Sequence, residues 1–176
     1  MNFTRSLMEL LDHHKQMDEM FLGHQEALMG LEWDRAEILL EQFRRTIEVH
    51  IHFEEAHLLP LYKDRAGERP GAAVTLFVGE HKKIKQFLAR FTRQVRSVQD
   101  AENPRRALLS LFDQHTMFKH LMEHHDLRER NVLYPCLDEV TTLPERESLF
   151  QALSRLTDSP EVQATPPIAT SNQGNR

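Results

Sequence analysis

The sequence predicts an all-α fold, an antiparallel up-down four-helix bundle with a short fifth helix at the C-terminal end. Three observations carry this. Only six Gly and eight Pro occur in 176 residues, most of them in a few short clusters. The stretches between the clusters are rich in Leu, Glu, Arg, Lys, Gln and Met, which favour helices. Within those stretches apolar residues recur at helical spacing in four long segments. With 40% hydrophobic residues the chain has enough apolar material for one sizeable core. One domain is therefore expected over residues 1–157, followed by a tail over 158–176.

The first helix is expected over residues 5–29, where Leu7, Leu10, Leu11, His14, Met17, Phe21 and Leu28 share a face, with Thr4 as N-cap and Gly30 as stop. Asp34 is the expected cap of a second helix carrying Phe43, Ile47, His50, Glu54, Leu58 and Leu61, ending near Tyr62 with Pro60 close to its end. The Gly- and Pro-containing segment Arg65–Gly71 reads as a turn. A third helix follows through Val74, Phe77, Val78, His81, Ile84, Leu88, Phe91 and Val95. Asn103-Pro104 reads as an N-cap with Pro at the first helical position. It opens a fourth helix through Leu108, Leu111, Phe118, Leu121, His125, Glu129 and Val132, ending near Pro135. A fifth, amphipathic helix is expected from Pro144 to Leu156. From Asp158 onward, too few large apolar residues remain to offset the entropy of ordering, so the tail is expected to be disordered.

A formal charge of −5 and a pI near 6.1 provide no basic field for nucleic acid. The single cysteine, Cys136, rules out an intramolecular disulfide framework. No apolar run is long enough to cross a bilayer and the N-terminal residues are not signal-like. A soluble, cytoplasmic protein with neither nucleic acid nor membrane as partner is expected.

The chemistry lies in a repeat. His50-x3-Glu54-x3-Leu58-Leu59-Pro60 and His125-x3-Glu129-x3-Leu133-Tyr134-Pro135 share their spacing, and His14 and His81 stand upstream of them in matching contexts. Residues i and i+4 lie on one helix face about a turn apart, so each motif presents an imidazole and a carboxylate together. His14 and His50 are nearly equidistant from the turn near residue 31, and His81 and His125 from the turn near residue 103. Antiparallel neighbours therefore bring His14, His50, Glu54, His81, His125 and Glu129 to one height. Two carboxylates and four imidazoles buried together need a cation. Six ligands exceed the four usual for structural zinc, and bridging carboxylates are how helix bundles hold di-iron or di-manganese pairs. Two ions bridged by Glu54 and Glu129 are expected. Imidazole favours iron over magnesium or calcium, while zinc or manganese fit the same ligands.

With these motifs in hand, residues 5–137 or so resemble the hemerythrin-like, or HHE cation-binding, family, whose hallmark is a lone His followed by His-x3-Glu, repeated once. The resemblance implies a four-helix bundle with an oxo- or hydroxo-bridged di-iron centre. It also implies roles in oxygen binding, oxygen or nitric-oxide sensing, iron handling or the protection of iron centres. The oxygen carriers of that family have His-x3-His on the third helix and His-x4-Asp on the fourth. Here Lys85 and the His125-x3-Glu129 spacing depart from them. The four-His, two-Glu set is closer to that of the bacterial proteins that repair iron centres. The expected partner is a small diatomic ligand, oxygen or nitric oxide, or peroxide. A di-iron oxidase, peroxidase or nitric-oxide reductase and an iron store or donor use the same ligands, so enzyme and binding protein both stay open.

His13, His52 and His124 flank ligand positions and are expected to point elsewhere, while His24, His115 and His120 are expected to be structural. His57 reads as a core histidine, with an extra ligand or a hydrogen-bond donor to bound gas as the alternative. Asp18, one turn beyond His14, is expected to orient a ligand histidine rather than coordinate. Tyr62, Tyr134 and Cys136 read as core packing, with a redox or gating role as the alternative for the tyrosines.

Overall fold

A computed structural model describes residues 5–159. It is an all-α helical bundle, with no strand among the described residues. The helices are α1 (Leu11–Met29), α2 (Trp33–Phe53), α3 (Val74–Gln99), α4 (Pro104–Arg128) and α5 (Leu143–Thr157). α1 packs on α2, α2 on α3 and α3 on α4, while α5 lies against α2. The expected tail beyond residue 159, like the proposed cap Thr4, falls outside the described residues.

Several ends differ from expectation. A 3₁₀ turn, Leu7–Leu10, precedes α1, and Ser6 caps it in a capping box with Glu9. The Ser-x-x-Glu spacing is the sequence signature of that box. Asp34 does not cap α2; it sits in the first turn, after Glu32, which caps without a side-chain bond. At the end of α1 Gly30 keeps right-handed geometry, and Leu31 takes the positive φ of 58°. Asn103 caps α4 as expected, accepting a hydrogen bond from the Arg106 N–H at 3.1 Å. α5 begins with a second capping box, Thr142 with Glu145.

The larger correction concerns the two Pro-containing ends. α2 continues through a π-helical turn at Glu54–Leu58, a short α segment at Leu59–Leu61 and a second π turn at Tyr62–Ala66. α4 continues through a π turn at Glu129–Leu133 into a helical segment, Tyr134–Val140. Proline lacks an N–H and its ring collides with the carbonyl four residues back, which normally ends a helix. Widening the preceding turn relieves this. The Leu59 N–H bonds the Glu54 carbonyl and the Tyr134 N–H that of Glu129, five residues back rather than four, so Pro60 and Pro135 follow without ending the helix.

Two apolar clusters fill the interior. One contains Met17, Phe21, Phe43, Ile47, Ile84 and Phe118; the other contains Leu10, Phe53, Leu58, Phe77, Leu133 and Tyr134, together with Leu149, Phe150 and Leu153 of α5. Along each long helix a polar residue lies between the two clusters. His14 falls between Leu10 and Met17, His81 between Phe77 and Ile84, and His125 and Glu129 between Phe118 and Leu133. The two clusters thus enclose a single buried polar layer.

Candidate metal centre

Each long helix contributes to that layer because its apolar face is interrupted there by His or Glu at the same height. Glu54, His81 and Glu129 are fully buried, His50 and His125 nearly so, and the His14 side chain is 11% exposed. All six predicted side chains converge. They form two groups able to hold an ion: Glu54, His81, His125 and Glu129, and His14, His50 and Glu129.

The oxygens of both glutamates are divided between these groups. Glu54 Oε1 lies 3.4 Å from His50 Nε2, and Glu54 Oε2 lies 3.3 Å from His81 Nε2. Glu129 Oε2 lies 3.4 Å from His14 Nε2, and its Oε1 lies 2.8 Å from His125 Nε2. Within each histidine pair the Nε2 atoms face one another, at 3.1 Å for His14 and His50 and 3.2 Å for His81 and His125.

The outer ring nitrogens show why this arrangement demands a cation. His14 Nδ1 donates to Asp126, His81 Nδ1 to Glu55 Oε1 at 2.9 Å and His125 Nδ1 to Glu80 Oε2 at 2.9 Å. Carboxylates only accept, so a neutral ring that donates from Nδ1 presents a lone pair at Nε2. For His81 and His125, which both donate from Nδ1, the facing Nε2 atoms are then two acceptors in contact. Glu54 Oε2 and both Glu129 oxygens are buried without a hydrogen-bond partner among the described residues. The donor set of imidazole nitrogens and shared carboxylate oxygens fits transition-metal ions.

The electrostatics agree. Burial works against ionising Glu54, but His50, His81 and His125 hold its carboxyl well below the usual range. Burial disfavours a charged His125 most strongly, but Glu129, Glu80 and Glu54 together outweigh it and push that ring up to about 10. His14 is raised against burial by Asp126, Glu129 and Glu54. Negative charge here is matched by protons on imidazole, the positions a metal ion would take.

Several expectations are corrected. Asp126, not Asp18, holds His14 Nδ1, and Asp18 is exposed. His57 belongs to neither group; the π turn that starts at Glu54 rotates it onto Phe53, ring centroids 5.5 Å apart. His120 is exposed rather than structural, while His24 and His115 are buried in the core. His52 and His124 face outward, and His13 is half-buried. Tyr62 is a packing residue whose hydroxyl accepts from the Arg69 N–H at 2.9 Å. Cys136 is half-buried against the second cluster.

Tyr134 is the residue that sequence reasoning underrated. Its hydroxyl is buried in the layer, donating to Glu54 Oε1 at 2.9 Å and lying 3.2 Å from His14 Nε2. Its counterpart in the first motif is Leu59, so the His14 and His50 group has a phenol and the other group does not. The supporting carboxylates also follow a pattern. Asp126 flanks His125 and reaches His14; Glu55 flanks Glu54 and reaches His81; Glu80 flanks His81 and reaches His125. A residue next to a ligand points about 100° around its own helix, towards the neighbouring helix.

The family model described as hemerythrin HHE cation-binding domain matches residues 6–137. No curated protein and no solved structure matches the chain. No helix among the described residues is long and apolar enough to cross a membrane.

Proposed function

This chain belongs to the hemerythrin HHE cation-binding domain family, and on that premise we propose that it is a non-haem di-iron protein that binds or senses oxygen or nitric oxide. Its four long helices form the antiparallel up-down bundle. His14 and His50 would hold one ion and His81 and His125 the other, with Glu54 and Glu129 shared between them. The observation that carries this reading is the division of both carboxylates between two histidine pairs, with three of their four oxygens buried and lacking a hydrogen-bond partner. One ion would leave half of these donors uncompensated.

When bound, the iron pair supplies electrons and an open coordination position. The protein's own residues do the rest. Asp126, Glu55 and Glu80 fix three ring orientations through Nδ1, and Arg128 braces Glu80 with a 2.6 Å bond. Tyr134 orients Glu54 and offers a hydroxyl beside the His14 and His50 group. Four histidines and two glutamates would hold the pair, one imidazole fewer than in the oxygen carriers.

The test is the metal content and ultraviolet-visible spectrum of protein from iron-supplemented cells, before and after anaerobic reduction and exposure to air or nitric oxide. About two irons per chain are expected, with near-ultraviolet charge-transfer bands that bleach on reduction and return or change with gas. A single tightly held zinc without gas response would turn the reading towards a structural site. Steady turnover with a reductant would instead identify an oxidase, peroxidase or nitric-oxide reductase, and transfer of iron to an apo-protein would identify a donor.

A further inference from the structure

The two histidine pairs of the layer are not equivalent, and a residue outside the ligand set makes much of the difference. Of the four carboxylate oxygens divided between the pairs, Glu54 Oε2 and both oxygens of Glu129 are buried without a hydrogen-bond partner among the described residues. The fourth, Glu54 Oε1, accepts from the Tyr134 hydroxyl at 2.9 Å. His81 and His125 therefore face two unpartnered oxygens, Glu54 Oε2 and Glu129 Oε1. His14 and His50 face one, Glu129 Oε2, and one that is already satisfied.

A buried carboxylate oxygen without a donor has lost its hydration and gained nothing in return. An ion that reaches such an oxygen relieves that cost in full. At Glu54 Oε1 part of the cost is relieved before any ion arrives, and an arriving ion must share the oxygen with the phenol or displace it. The same hydroxyl lies 3.2 Å from His14 Nε2, so it stands against two donors of this position. Tyr134 is fully buried in the second apolar cluster, where no water replaces Glu54 as its acceptor.

Other features of the layer lean the same way. Glu54, His81, His125 and Glu129 each bring a ligand atom within 4.8 Å of the others, whereas around the second pair only His14, His50 and Glu129 do so. His81 is fully buried and held by Glu55, and His125 is held by Glu80, which Arg128 braces. The His14 side chain is 11% exposed. In the first motif the place of Tyr134 is taken by Leu59, which has no hydroxyl to donate.

We propose that Tyr134 makes the two metal positions unequal: the position of His81 and His125 fills first and retains its ion, while the position of His14 and His50 holds an ion that exchanges. Tyr134 acts through Glu54 and is a positioning residue, not a ligand. The inference rests on the di-metal reading.

The experiment is an anaerobic titration of the metal-free full chain with Co2+, followed by ligand-field absorption and by chelator competition. Two ions are expected to bind, in steps at least about tenfold apart in affinity. His14→Ala should lose the weaker step and His81→Ala the tighter one. In Tyr134→Phe the weaker step should tighten about tenfold, the change expected for one hydrogen bond to a charged group, while the tighter step stays within about twofold. Tyr134→Leu, which installs the residue of the first motif, should shift the ratio of the two affinities in the same direction. A role in packing alone would weaken both steps together, and that result overturns the inference. So do two ions bound equally tightly by the unaltered chain, a ratio unchanged in both Tyr134 variants, or loss of the tighter step in His14→Ala. A visible tyrosinate-to-iron band in the iron-loaded protein that vanishes in Tyr134→Phe also overturns it, by making Tyr134 a ligand. Each of these outcomes leaves the di-metal reading standing, whereas one Co2+ per chain, or none, contradicts both.

Discussion

Two groups of buried histidines occupy this bundle, and they behave in opposite ways. In the polar layer His125 is surrounded by Glu129, Glu80 and Glu54 and is pushed up to about 10. A few turns away His24 and His115, ring centroids 5.4 Å apart, lie among Phe21, Phe91 and Phe112. Burial pushes His24 down to about 4 and His115 to about 3, with His24 adding to the effect on His115. Both groups of histidines are desolvated; only the carboxylates differ. What marks a metal centre is therefore buried carboxylate charge set against the imidazoles, not the number of histidines. The core pair serves as packing with one anchor, His24 Nδ1 donating to the Ala36 carbonyl at 2.8 Å.

Removing the buried charge has the largest expected effect. Glu54→Ala or Glu129→Ala is expected to weaken metal binding by more than about 100-fold, beyond the usual effect of supporting residues, as read by chelator competition. Next comes acid. His24 and His115 have folded values below the ordinary 6.5, so the unfolded chain takes up their protons first. Their contribution is complete above about pH 6.5 and is lost as pH falls towards 4 and 3, on the order of 3–5 kcal/mol for each. His115→Leu should flatten the fall in metal-free stability between pH 7 and pH 4, measured by urea unfolding. An unchanged slope would show that the core pair is not held neutral.

A smaller effect separates bridging from supporting groups. Asp126→Asn and Glu80→Gln keep the shape but give up the charge that orients His14 and His125, and each should reduce metal affinity about 10- to 100-fold. Asp18→Asn should leave it unchanged. Smallest of all, His52→Ala, on the exposed side of α2 beside a ligand position, should change neither metal content nor stability by more than about 0.5 kcal/mol. Metal loss in that variant would mean that the phase of α2 is wrong.

Much of this was legible in the sequence because it was written twice. The repeated His-x3-Glu spacing and the symmetric distances to the turns near residues 31 and 103 placed six side chains at one height without any structure. Asn103-Pro104 likewise marked the start of α4. The prolines misled, because Pro60 and Pro135 signal an ending while the π turns that absorb them have no composition of their own. The supporting acids were hidden among 27 Asp and Glu residues. A search for acids immediately beside ligand positions would have found Glu55, Glu80 and Asp126. Tyr134 was discounted because a buried tyrosine usually packs. Its contrast with Leu59 at the equivalent place in the repeat was the available clue.

The central claim is that two ions share Glu54 and Glu129. Iron K-edge X-ray absorption on iron-loaded protein, with iron and protein quantified on the same sample, tests it most directly. Two irons per chain are expected, with nitrogen and oxygen ligands and an iron–iron vector of about 3–4 Å that disappears in Glu54→Ala. A single iron per chain without metal–metal scattering, or an iron pair that survives loss of both glutamates, would contradict it.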